Sequence, residues 1–160
     1  MNVFSIKAFN PRRSNSSPRP NVVIEMARGL EQARILIVED EPFIAGDLVH
    51  AVELAGGEAI GPAASLKQAL ALIAEARGTI QAAILDVNLV DGHIGPVLDV
   101  LVPIVPVIVH TGVGLPRDVQ GRFPQVPIYT KPTPSLILTA ALAEMLAEAR
   151  SQELDPDNSA

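Results

Sequence analysis

Five polar residues stand just behind apolar runs, and their types together could move a phosphoryl group. Glu39 and Asp40 follow RILIV, Asp86 follows QAAIL, Thr111 follows PVIVH, and Lys131 comes shortly after VPIY. Carboxylates gathered in one pocket raise each other's pKa unless a cation is held between them. Oxygen ligands without His or Cys select a hard cation, and a site with two carboxylates and several waters suits Mg²⁺. Lys131 adds a point positive charge and Thr111 a hydroxyl donor, both suited to an anion beside the metal. Phosphoryl transfer needs such a set, and a carboxylate can itself be the nucleophile, giving an acyl phosphate. Asp86 is the best-placed nucleophile, with the two acids of the first run holding the metal. Gly112 would leave the approach to Asp86 open.

These residues share a pocket only if the runs before them lie side by side in one sheet. The chain from Arg34 onward supports that arrangement by alternating short aliphatic runs with segments of helical period. RILIV precedes a helix from Pro42, with Ile44, Leu48, Ala51 and Ala55 on one face and Gly56-Gly57 at its end. EAIG precedes a helix carrying Leu66, Leu70 and Ile73. QAAIL precedes a third near residues 94–101, PVIVH a weak fourth around 115–122, and VPIY a last one from Pro134 to Arg150. Strands apolar on both faces and separated by helices imply a parallel sheet covered on each side. The expected class is α/β, an open doubly wound sandwich of five β-α units. Its ligands sit outside the carboxyl ends of the strands, where all five polar residues fall.

The bulk composition narrows the field. At 160 residues and 48% hydrophobic content, the chain supports one sizeable core. It has no cysteine, which excludes disulfide scaffolds, thiolate zinc sites and cysteine nucleophiles. No apolar run is long enough to cross a bilayer and no secretory h-region opens the chain, so a cytoplasmic protein without membrane contact is expected. The net charge of −6 divides into +3 over residues 1–33 and −9 over 34–160. An acidic body argues against nucleic acid as a partner. Residues 1–32 read as a largely disordered leader with a short helix after residue 21, its Arg12, Arg13 and Arg19 solvated. Residues 33–150 read as the domain and 151–160 as a disordered tail.

The fragments LIVEDE, ILDVNL, VHTG and YTKP, in this order, resemble the receiver domain of two-component response regulators over residues 33–150. From Asp40 it is 46 residues to Asp86, then 25 to Thr111 and 20 more to Lys131. The resemblance implies a flavodoxin-like (βα)5 fold with strand order 2-1-3-4-5. It also implies that Asp86 is the phosphoacceptor and, with Asp40 and the backbone carbonyl of Asn88, a ligand of Mg²⁺, while Glu39 holds a metal-bound water. Thr111 and Lys131 would contact the phosphoryl group. The implied donor is a histidine kinase or a histidine phosphotransfer protein.

Several positions depart from the receiver pattern. Ile128 stands three residues before Lys131, where most receivers carry an aromatic switch residue, and Tyr129 is one place late and should face the other side of its strand. The loop NLVDG is short and lacks the customary proline, and Thr133 stands where Phe is common. PVIVHTGVG resembles the FATGUY subgroup, although Val109, His110 and Val113 differ from its motif. One helix and a short tail follow Lys131, so the expected output is a contact with a downstream protein partner. That contact would lie on a surface loosened by Gly112, Gly114, Pro116 and Gly121. A phosphate sink for a shared kinase is the other use.

Two further readings stand beside this one. A pseudo-receiver would use the fold only as an interaction module. A small phosphohydrolase would use Asp86-Val87-Asn88 in the manner of a D-x-D motif, whereas the receiver reading expects no external substrate and no enzyme in the ordinary sense. His50 and His93 carry no paired metal-ligand spacing. His110 reads as an inward or sideways strand histidine, with pH sensing or altered access to the phosphoryl group as the alternative. Leu138, Leu142 and Met145 read as core, with a homodimer contact as the alternative.

Overall fold

Aliphatic and β-branched residues, uninterrupted by charge, make the central strands. A computed structural model of the protein describes residues 29–153. The expected leader up to residue 28 and the tail from 154 lie outside the described residues. The strands, in chain order, are β1 (Arg34–Val38), β2 (Glu58–Ala63), β3 (Ala82–Leu85), β4 (Asn88–Leu89), β5 (Gly92–His93), β6 (Val107–Thr111) and β7 (Ile128–Thr130). Five of them form one sheet in the order β2-β1-β3-β6-β7, every pair parallel. Counting that sheet alone, the order is 2-1-3-4-5, the flavodoxin-like doubly wound arrangement. β4 and β5 form a small antiparallel hairpin that the sequence did not announce.

The helices are α1 (Pro42–Leu54), α2 (Leu66–Glu75), α3 (Gly95–Leu101), α4 (Arg117–Arg122) and α5 (Ser135–Glu153). Alternation along each strand sends successive side chains to opposite faces. Ile35, Ile37, Ile84 and Ile108 therefore share one core with Leu48 and Val52 of α1 and with Leu138, Leu142 and Leu146 of α5. Leu36, Val38, Leu85 and Val109 share the other with Ala69 and Ile73 of α2, with Val97, Leu98 and Leu101 of α3, and with Val119 of α4. On α1 the expected Leu48, Ala51 and Ala55 are buried and Ile44 packs against the same core half-buried, with Ala45 and Val52 widening the stripe. On α5, Leu146 is buried and Met145 half-buried.

The domain reaches further at both ends than the expected span of 33–150. Leu30 is fully buried and donates its N–H to the Ala55 carbonyl (3.1 Å), joining the start of β1 to the end of α1. The last helix continues to Glu153, so residues 151–153 are helical rather than part of a disordered tail. In β2, Gly61 adopts φ +98° at a register irregularity between Leu36 and Val38 of β1. A Cβ there would lie 2.8 Å from the Ile37 carbonyl, so both the backbone and its neighbour demand glycine.

The N-terminus of α2 ties two parts of the molecule together. The Ser65 hydroxyl accepts from Gln68 N–H (3.1 Å) as an N-cap. The two preceding N–H groups are taken by Asp91, which accepts from Leu66 (2.6 Å) and Lys67 (3.0 Å). A helix start leaves such donors unpaired within the helix. Here a carboxylate from the β4–β5 turn satisfies them, and the loop after β3 is thereby fastened to α2.

Candidate functional site

The extended backbone continues one residue beyond β1 and β3. Glu39 N–H donates to the Ala63 carbonyl (2.9 Å) and Asp86 N–H to the Val38 carbonyl (2.8 Å). Glu39 thus falls two residues after Ile37, Asp86 two after Ile84, and His110 two after Ile108, all on the α1/α5 side. The result is a row of polar side chains across three adjacent strands at the carboxyl edge of the sheet. Lys131 follows two residues after Tyr129 of β7, and its own N–H donates to the Thr111 carbonyl (3.0 Å).

From there the Lys131 ammonium reaches back over the row. Its Nζ lies 2.8 Å from Asp86 Oδ2 and 2.9 Å from Glu39 Oε2, with Glu41 Oε1 at 3.9 Å. Asp86 is 7% exposed and Glu39 2%. Asp86 Oδ1 accepts from the Val87 N–H (2.6 Å), and Glu39 Oε1 from the Glu41 N–H (3.1 Å). Burial pushes the Glu39 carboxyl upward, against the hydrogen bonds from Lys131 and Glu41. Burial also works against the Lys131 charge, but hydrogen bonds to Asp86 and Glu39 prevail and hold its pKa above the usual lysine value.

One carboxylate oxygen from each of Glu39, Asp40 and Asp86 can be chosen so that all lie within 4.8 Å of one another. This is the one such grouping of acids or histidines among the described residues. A purely oxygen donor set of this kind fits a hard divalent cation. His50 and His93 are exposed and stand outside it.

The remaining candidates are set by the strands and loops that carry them. Thr111 is 1% exposed, and its hydroxyl oxygen accepts from Val113 N–H (3.3 Å), which turns it into its own loop. A Cβ built on Gly112 meets nothing within 4 Å. Asn88 is exposed at the start of β4. Ile128 is 37% exposed on β7, while Tyr129 packs into the α1/α5 core, as strand alternation requires. Two contributors escaped the sequence reading. Glu41 adds a third acid near Lys131, and the EDE run contained that signal. Asp91 braces the loop behind Asp86 over more than twenty residues of separation, and no local pattern marks it.

No protein-family model matches the chain, and no curated protein does. Solved structures do. A CheY-like response regulator receiver domain from Methanospirillum hungatei superposes with a TM-score of 0.66 at 23% identity, covering 76% of this chain and 99% of that one. This is the receiver-domain fold. The response regulator PhyR from Brucella abortus matches at 31% identity and a TM-score of 0.63, over 82% of this chain and 55% of that one, so the present chain spans about half of PhyR's length. A Burkholderia pseudomallei response regulator with a phosphorylated aspartic acid, a calcium ion and citrate matches at 22% identity and a TM-score of 0.57, covering 76% and 73% of the two chains. Among the described residues, no helix is long and apolar enough to cross a membrane.

Proposed function

We propose that this protein is a response regulator that takes a phosphoryl group onto Asp86 from a histidine kinase or histidine phosphotransfer protein, in a reaction needing Mg²⁺. The observation that carries this reading is the near-buried Asp86 carboxylate, hydrogen-bonded to Lys131 and close to Glu39 and Asp40. In the transfer, an Asp86 oxygen attacks phosphorus while the bond to the donor's imidazole nitrogen breaks, and the electron pair leaves with the imidazole. Asp40, Asp86 and the Asn88 carbonyl would hold the cation, with Glu39 binding one of its waters. Bound there, Mg²⁺ supplies charge neutralisation for the phosphoryl oxygens. Lys131 turns from the carboxylates toward the incoming phosphoryl group, and the Thr111 hydroxyl rotates from its loop to donate to the same group.

The output is a changed surface over β6, α4 and β7, read by a downstream protein, or the withdrawal of phosphate from a shared kinase. Exposed Ile128 and Val113 lie on that surface, and α4 is only six residues long. Such a short helix is easily repositioned.

Intact-protein mass spectrometry after incubation with acetyl phosphate and Mg²⁺ tests the chemistry. The expected result is one phosphoryl increment that disappears in Asp86→Asn and in the metal-free control. No increment from acetyl phosphate or from a phosphorylated phosphotransfer protein, with the protein folded, would leave an interaction module. Turnover of an external phosphomonoester would point instead to a phosphohydrolase.

A further inference from the structure

His110 is 4% exposed, and neither ring nitrogen has a hydrogen-bond partner. These are the only such buried side-chain polar atoms among the described residues. Buried polar groups are nearly always paired, and one left unpaired bears its desolvation cost without return. The pairing of Leu85 with Val109 sets Asp86 beside His110 on the same face of the sheet, and neighbouring strands lie about 4.8 Å apart. On its other side His110 pairs with Tyr129. Burial, helped by the nearby Lys131 charge and opposed by Asp86, favours the neutral ring. A neutral imidazole keeps one N–H to give.

Donors already reach both oxygens of Asp86 in the unphosphorylated protein, from Val87 N–H and from Lys131. After transfer, the phosphoryl oxygens compete for the lysine, and the aspartyl oxygen in the new P–O bond loses that donor. We propose that His110 takes its place, donating its N–H to the Asp86 oxygen from which the phosphoryl group departs in hydrolysis. In that step water oxygen bonds to phosphorus, the P–Oδ bond breaks, and its electron pair returns to the Asp86 oxygen. The water's proton passes to the released phosphate or to solvent, and His110 keeps its own. A donor placed where charge develops lowers the barrier, so His110 shortens the life of the phosphorylated state.

The proposal rests on Asp86 being the phosphoacceptor, and the experiment separates the two claims. The full chain is phosphorylated with acetyl phosphate and Mg²⁺, the donor is removed, and loss of the phosphoryl mass is followed for wild type, His110→Leu and His110→Gln. His110→Leu, which removes the unpaired nitrogens without opening a large cavity, is expected to lose phosphate about tenfold more slowly, with unchanged or raised folding stability. His110→Gln, which retains an N–H donor, is expected to recover part of the wild-type rate. In ¹⁵N-labelled wild type, the His110 ring nitrogens are expected to shift on phosphorylation, a readout independent of any variant's folding. Equal or faster loss from His110→Leu, or ring nitrogens that do not move, would overturn the role of His110 while leaving Asp86 as acceptor. A wild type that takes up no phosphoryl group would overturn both.

Discussion

Lys131 holds together two carboxylates that would otherwise face each other nearly out of water. Removing one partner of a buried charge cluster leaves the rest uncompensated, which is costly. Lys131→Met is therefore expected to destabilise the metal-free protein by about 2 kcal/mol, with much of the loss restored by Mg²⁺. Urea unfolding in chelator and in excess Mg²⁺ measures both. The lysine's raised pKa gives its contribution a direction. The stabilisation is full below the ordinary lysine value and fades as pH rises through the higher folded value, so only strongly alkaline solution erodes it. Glu39, Asp40, Asp86, Thr111 and Lys131 could be picked out from sequence because each terminates or follows an apolar strand. The lysine's hold on Glu39 could not, because it depends on the lengths and rotamers of side chains 92 residues apart.

The loop that carries Asn88 and Val90 is short, yet Asp91 pins it to the start of α2. Its carboxyl is held below the usual aspartate range by the Lys67 N–H foremost, with the Leu66 N–H adding to it. A depressed carboxyl stabilises the fold above its ordinary value, near 3.9, and that stabilisation is lost as pH falls through the folded value. Asp91→Ala should lower the melting temperature at neutral pH and flatten its decline below about pH 4. Thermal melts across that range would show it, and an unchanged acid slope would exclude Asp91 as a brace. Element order and type were legible from period and apolar content. The β4–β5 hairpin was not, since two-residue strands leave no periodic trace.

At the scale of the whole molecule, large apolar residues are exposed just after three strands of the sheet, one in the first turn of α1 and two in loops. Phe43 after β1 is 91% exposed, Val90 after β3 75%, and Val113 after β6 72%. Apolar side chains around an otherwise polar edge suit a docking partner. Phe43→Asp should cut phosphorylation by a cognate phosphotransfer protein by about tenfold or more while leaving the acetyl phosphate reaction near its wild-type rate. Comparing the two donors on one variant distinguishes a docking defect from a chemical one. The fold class and strand order could be inferred from sequence because the alternation of runs and helices is regular. The exposure of these apolar side chains could not, because a hydrophobic residue near a strand end is as readily core.

The polar row across β1, β3 and β6 constrains how this protein can change by insertion and deletion. Adding or removing one residue within any of those strands would reverse its alternation from that point, turning Glu39, Asp86 or His110 into the opposite core and an aliphatic residue into the pocket. The loops after the strands carry no such parity, so length variation there would leave Glu39, Asp86 and His110 in register.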